Sequence, residues 1–212
     1  MKKLNFLSII ACVVMCVGTV SCGGPEAVDL GLPSGTKWAS YNVGALSPEE
    51  TGGFYAWGEV EEKNNYSDST YKYANASNGY RPINIGENIS GTEYDVARKN
   101  WGGDWRMPTK EEIGELRDNC RWVKIIYNGV RGYKVIGPNG NSIFLPACGC
   151  RVGTELRMMG QYNTWKNLAG YYWSASSSDD GRAAVEMVLS SNACFTIGTS
   201  EGCQGHVIRP VK

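Results

Sequence analysis

The side chains best suited to nucleophilic or metal chemistry in this chain are Cys120, Cys148, Cys150, Cys194, Cys203 and its single histidine, His206. A reactive thiolate needs a neighbouring base or a depressed pKa, and a structural zinc site needs paired Cys or His ligands at fixed spacing. Neither pattern is present. Cys148-Gly149-Cys150 has no partner pair at zinc spacing, and His206, beside Val207 and Ile208, lacks a nucleophile motif. On a strand Cys148 and Cys150 share a face and are poorly placed to bridge each other, so both read as small buried hydrophobes. Cys194 and Cys203 flank FTIGTSEG, and a disulfide closing that loop would stabilise the fold by about 2.5–3 kcal/mol in the chain-entropy picture. The thiols beyond Cys22 are odd in number, so at least one stays unpaired unless it pairs between chains.

Carboxylates give no stronger signal. Asp179-Asp180, with Glu186 downstream, suggests calcium, but an Asp-Asp-Gly turn between strands explains it without a ligand. Gly102-Gly103 lacks the spacing of a phosphate loop. We therefore expect no catalytic residue, no metal and no cofactor. Contact chemistry is better represented. Trp57 and Trp165 stand in loop-rich sequence and are suited to stacking on a sugar or peptide. The segment RVGTELRMMGQYNTWKNL (151–168) carries Met158, Met159, Tyr162 and Trp165 without a helix or strand period to bury them all. Trp38, Trp101, Trp105, Trp122 and Trp173 fall at periodic positions and read as core.

Positioning these residues requires a scaffold, and the scaffold is α+β. VDLGLPSGTKWASYNVGA alternates around a Pro-Ser-Gly turn and predicts a first strand pair. Residues 46–80 are rich in Ser, Asn, Gly and Tyr, predicting a long surface excursion with one strand in GFYAWGEV. TEYDVARKNW predicts a helix over 92–101, stopped by Gly102-Gly103. In DWRMPTKEEIGELRDNC, Thr109 and Glu112 form a capping box and Ile113 and Leu116 a buried stripe, predicting a scaffold helix over 110–119. RWVKIIY, VRGYKVI and SIFLPA, separated by tight turns at Asn128-Gly129 and Pro138–Asn141, predict an antiparallel meander. GYYWSASS, AAVEMVLSS, ACFTIG and HVIRPV make the last third strand-rich.

Lys2 and Lys3 precede an apolar run, LNFLSIIACVVMCVGTV, of signal-peptide pattern, ending at Val20-Ser21-Cys22-Gly23-Gly24. This resembles a bacterial lipoprotein cleavage box, departing from it at Thr19, and implies a signal peptide over 1–21, a tether over 22–27 lipidated at Cys22, and one domain over 28–212. Lys+Arg and Asp+Glu balance at 21 each, which excludes the basic footprint of a nucleic-acid binder.

VDLGLPSGTKWASYNVGA, FYAWGEVEEK, ARKNWGGDWRMPTKEEIGEL, NGNSIFLPA, GYYWSAS and VIRPV together resemble the Fibrobacter succinogenes major paralogous domain family, over about residues 28–211. The resemblance implies a single C-type-lectin-like domain, similar in its core to formylglycine-generating enzymes. Those enzymes carry an R-L-P-T-E-x-E-W run like that from Arg106 to Ile113, where it begins a scaffold helix. Their chemistry uses a cysteine pair with four residues between, whereas Cys194 and Cys203 have eight. Relatives resembling this chain often run to Asn and Ser after VLSS. Here the segment 193–204 places Phe195, Ile197 and Thr199 at positions reachable from Asn codons by adenine substitution, which reads either as a retroelement-diversified ligand face or as drift in a surface hairpin. The resulting expectation is a lipid-anchored outer-membrane or cell-surface protein. It would act as a non-enzymatic binding or adhesion module for a glycan or protein ligand, touch the membrane through its anchor alone, and bind no nucleic acid. A retroelement-diversified display protein and a formylglycine-generating-enzyme-like oxidase are the alternatives.

Overall fold

The computed structural model describes residues 24–75, 81–82, 85–157, 168–179, 183–191 and 195–212. Its centre is a meander of β5 (Arg121–Tyr127), β6 (Val130–Ile136) and β7 (Ser142–Pro146), in the order β5-β6-β7. Asn128 at φ 45° and Gly129 at φ 82° make the left-handed two-residue turn that the right-handed twist of a hairpin prefers. Period-two alternation puts Tyr133, Val135, Ile143 and Leu145 inside, on the face that meets the main core.

Around the meander stand β1 (Ala27–Asp29) and β2 (Lys37–Ala39), two-residue strands β3 (Ala74–Asn75) and β4 (Arg81–Pro82), and the hairpin β8 (Cys150–Val152) with β9 (Glu155–Arg157). A second three-stranded sheet, ordered β10-β11-β12, joins Ala169–Ser177, Ala184–Ser190 and Thr196–Ser200, with β12 paired on one side among the described residues. The described pairings of these small sheets and two helices are an α+β arrangement.

Helix α2 (Lys110–Asn119) has the predicted bounds. Thr109 Oγ1 accepts from Glu112 N, and the Glu112 carboxylate accepts from Thr109 N at 2.9 Å. The same carboxylate accepts from Arg106 Nη1 and Nη2, at 2.8 and 2.6 Å, and from Thr36 Oγ1 at 2.9 Å. Burial would raise the Glu112 pKa, but these donors outweigh it and hold the group below its ordinary value. Glu112 is thus fully used in joining β2, the approach to α2 and the helix itself, and the stretch is scaffold.

Helix α1 (Val96–Trp101) is shorter than its periodicity suggests. Asp95 takes the cap, its Oδ1 accepting from Ala97 N and Arg98 N and its Oδ2 from Gly91 N and Met107 N. A fully buried carboxylate that satisfies four backbone N–H groups fixes where the helix starts, so the preceding residues form a turn instead.

Along its described length the excursion over 46–80 keeps an exposed outer side, with Leu46, Glu50, Glu61, Glu62 and Lys72 exposed, but its inner side is part of the core. Phe54, Tyr55, Ala56, Trp57, Tyr66 and Tyr71 are buried, with Tyr66 Oη donating to Phe54 O at 2.5 Å and Tyr71 Oη to Trp57 O at 2.8 Å. These phenol-to-carbonyl bonds supplement a few backbone bonds, Tyr55 with His206 and Trp57 N donating to Gly202 O at 2.8 Å. GFYAWGEV is accordingly an irregular segment with one bridge, Tyr55 to His206.

The expected last strand, HVIRPV, is a buried thread with isolated bridges: Val207 to Tyr172, and Val211 to both Trp38 and Arg106. Within it Arg209 is fully buried and donates to Asn42 Oδ1 at 2.8 Å, Ala39 O at 3.0 Å and Phe144 O at 2.9 Å. Arg209→Met should lower stability by roughly 3 kcal/mol or more, because each buried acceptor left without a donor costs about 1–3 kcal/mol. Urea denaturation checks this, and Arg209→Lys, which retains charge but not the fork, should fall between.

Candidate functional site

The described part of the excursion forms one wall of a surface cleft of about 590 Å³, whose lining includes Glu59, Glu61, Glu62, Lys72, Tyr73 and Tyr94. Its base is set by Gly58, at φ 78°, where an added Cβ would lie 2.2 Å from Ile85 Cδ1 and 3.3 Å from Tyr73 Cε2. Glycine therefore lets Ile85 and the Tyr73 ring close against the turn. Tyr73 meets Tyr94 edge to face at 5.5 Å and 90°, and Tyr71 at 5.8 Å and 86°. Neighbouring Glu93 raises the Tyr94 phenol, keeping it a neutral donor.

Several charges here are already engaged. Glu59 accepts from Lys63 Nζ at 3.0 Å and Lys72 N at 2.7 Å, and Glu62 from Phe54 N at 3.3 Å. Lys63 Nζ stands 5.6 Å from the Tyr71 ring and Lys72 Nζ 5.4 Å from the Tyr73 ring. Exposed Glu61 and Glu93 complete the lining. Chemically, the cleft offers ring surface, phenol donors and carboxylate acceptors on a backbone pinned by its own side chains.

The residues singled out in the sequence are distributed differently. Trp57 is 4% exposed, with Nε1 donating to Ser174 O at 3.0 Å, and belongs to the core cluster with Trp173 and Ile208. It is a wedge between the excursion and β10, not a stacking surface. Met158, Met159, Tyr162 and Trp165 lie outside the described residues, as do Cys22 and Cys194. Cys203 is a free, buried thiol. On the segment 195–204, Phe195 is half-buried and packs on Trp122 at 5.0 Å between ring centroids, whereas Ile197 and Thr199 are exposed on β12. Neither Tyr73 nor Tyr94 was legible as a site residue from sequence. Their convergence depends on a contact between residues 21 positions apart, and no periodic signal encodes it.

Two further groupings concern thiols and titratable groups. The donor atoms of Asp68, Glu201 and Cys203 lie within 4.8 Å of one another. Burial and a hydrogen bond to Asp68 push the Cys203 thiol up to about 12, so it serves as a protonated donor to a carboxylate, which explains the grouping without a cation. Burial likewise raises Cys120 and Cys150 to about 11 and Cys148 to about 12. Beneath β11, His206 is fully buried, stacked on Trp173 at 3.8 Å and beside Tyr171 at 5.3 Å. Its Nδ1 is 3.1 Å from Glu186 Oε2, but the approach lacks hydrogen-bond geometry, leaving both ring nitrogens and that oxygen without a partner. Burial lifts Glu186 to about 7, opposed by Ser200, and drops His206 to about 3, so both are neutral at mildly acidic pH.

Comparison with family models, with curated proteins and with solved structures finds no match to this chain.

Two outcomes follow. A carboxyl whose folded pKa is raised adds stability below its ordinary value of 4.5 and loses it as pH rises through about 7. Glu186→Gln should therefore gain on the wild type by an amount of the order of 2 kcal/mol across that window, read from urea midpoints. A difference flat with pH would mean that the folded Glu186 carboxyl keeps its ordinary value. On the segment 195–204, Phe195→Ser should destabilise by roughly 1–3 kcal/mol, while Ile197→Ser with Thr199→Ser should stay within about 0.5 kcal/mol. Equal midpoints for the two variants would show that the Phe195–Trp122 contact contributes nothing.

Proposed function

We propose that this protein is a lipid-anchored, non-enzymatic binding module of the cell surface, with a C-type-lectin-like domain of the major-paralogous type, and that its ligand is a glycan. The observation that carries the ligand reading is the cleft, where two perpendicular tyrosine rings stand beside carboxylates and lysines. Ring faces stack on the C–H faces of sugars, and carboxylates and phenols take the directional hydrogen bonds that hydroxyl-rich ligands offer. Four described thiols raised to about 11–12 favour a module over an oxidase, since a reactive cysteine works as the thiolate. The anchor reading rests on the segment from Lys2 to Gly24 and its similarity to a lipoprotein cleavage box. Exposure of Ile197 and Thr199 leaves β12 available as a second contact edge, which is the observation favouring a diversified display surface.

A glycan array, followed by titration of the best-bound glycan, tests the cleft. Glu61→Gln should weaken binding about tenfold, equivalent to ~1.4 kcal/mol, with the urea midpoint little changed, while Tyr94→Ala, whose ring also packs on the core, should weaken it as much and cost roughly 1–3 kcal/mol of stability. Glycan binding that survives both substitutions would move the site elsewhere. Capture of a protein in place of any glycan would overturn the ligand class.

A further inference from the structure

Glu26, the last exposed residue before β1, is tied to β2 by Glu26 N donating to Ser40 Oγ at 3.1 Å and Ser40 N to Glu26 O at 2.9 Å. It also lines a groove of about 320 Å³ with Val28, Pro48, Ile125, Tyr127 and Phe144. The turn between β5 and β6 is joined to the adjoining loop, Asn128 Nδ2 donating to Glu49 Oε1 at 2.8 Å. Five large apolar side chains are exposed among the described residues, and three of them occur in this loop or at this turn: Leu46 at 85%, Ile126 at 56% and Tyr127 at 40%. An apolar tip of this kind beside a chain entry point is unusual on a monomer's surface.

We propose that this tip lies against the lipid surface that holds the anchor, with Leu46 and Tyr127 entering the interface. The proposal rests on the reading of Cys22 as lipidated. Covalent geometry then selects the occupant. Four residue steps separate Cys22 from Glu26, so the start of β1 is held within about 14 Å of the lipid headgroups. A domain of this length is on the order of 40 Å across, so the face around Glu26 is the one the tether brings to the bilayer. The charges on this face favour the apolar contact as the driving one. Glu26, Glu49 and Glu50 are matched by Lys124, Arg131 and Lys134, so the face has no excess of cations to draw anionic headgroups, whereas exposed leucine and tyrosine side chains suit the boundary between headgroups and acyl chains.

Placing a diazirine amino acid at Leu46, Tyr127 or Asp179 of the full-length chain, in cells that mature lipoproteins, tests the orientation. Asp179, exposed after β10, is separated from β1 by successive segments: β1 pairs with β2, Trp38 with Val211, Val211 with Arg106, and Ala175 N donates to Pro108 O. Irradiation should give lipid adducts at Leu46 and Tyr127 and lose them at Asp179. Protein adducts at the first two positions, no adducts at them, or equal lipid adducts at all three would each overturn the proposal. Acyl labelling of the same samples reads the anchor separately. A labelled chain without lipid adducts sinks the orientation alone, whereas an unlabelled chain sinks the anchor and the orientation together.

Discussion

A guanidinium buried among neutral acceptors is the constraint around which the described fold is arranged. Arg209 carries its charge into the core, where burial pulls its pKa down to about 10, and it is held by Asn42 Oδ1 and the carbonyls of Ala39 and Phe144. Those acceptors belong to β2, to the turn after it and to β7. The fork can be satisfied only when all three are in place, so the C-terminal thread is closed in one register. Asn42 passes the constraint on, donating to Thr51 O at 2.8 Å and fixing the first part of the excursion.

From that thread the two cores follow. Val207 and Val211 enter the cluster beneath the meander, and Ile208 enters the cluster with Trp57, Val96, Met107 and Trp173. Alternation along one extended segment thus stitches two apolar bodies together, and within the second Trp173 Nε1 donates to Tyr55 O at 2.8 Å. The excursion becomes rigid because its aromatic side chains are consumed on its inner side, and the cleft is what remains on its outer side. A binding surface made in this way is preorganised, since Glu59, Tyr71 and Tyr73 are held by contacts that exist before any ligand arrives.

Elements governed by local rules were legible in the sequence. Thr109 and Glu112 announce α2 because a capping box is a three-residue interaction, and Asn128-Gly129 announces its hairpin because the turn demands positive φ. What depended on distant partners was not. Trp57 looked like a loop residue because nothing near it in sequence reveals Ser174, which lies 117 positions away and accepts its N–H. HVIRPV has strand composition yet pairs only through single bridges, since Arg209 and the isolated contacts of Val207 and Val211 take the place of a ladder. The cleft was hidden for the same reason: Tyr73 and Tyr94 meet through the fold, not through a motif.

The interior also explains how so many thiols can stand unreacted in a chain read as exported. A thiol raised to about 11, as at Cys150, is ionised at neutral pH to a fraction of order 10⁻⁴, and one raised to about 12, as at Cys203, to less, so disulfide exchange at either is slowed by chemistry as well as by lack of access. The same low-polarity surroundings hold Glu186 and His206 neutral together, and they make Arg209 costly unless its whole fork is satisfied. Charge is kept in the core where a rigid donor geometry can be matched by fixed acceptors, as at Arg209. Where the partner is a flexible carboxyl with an unfilled oxygen, as at Glu186, neutralisation is the less costly solution.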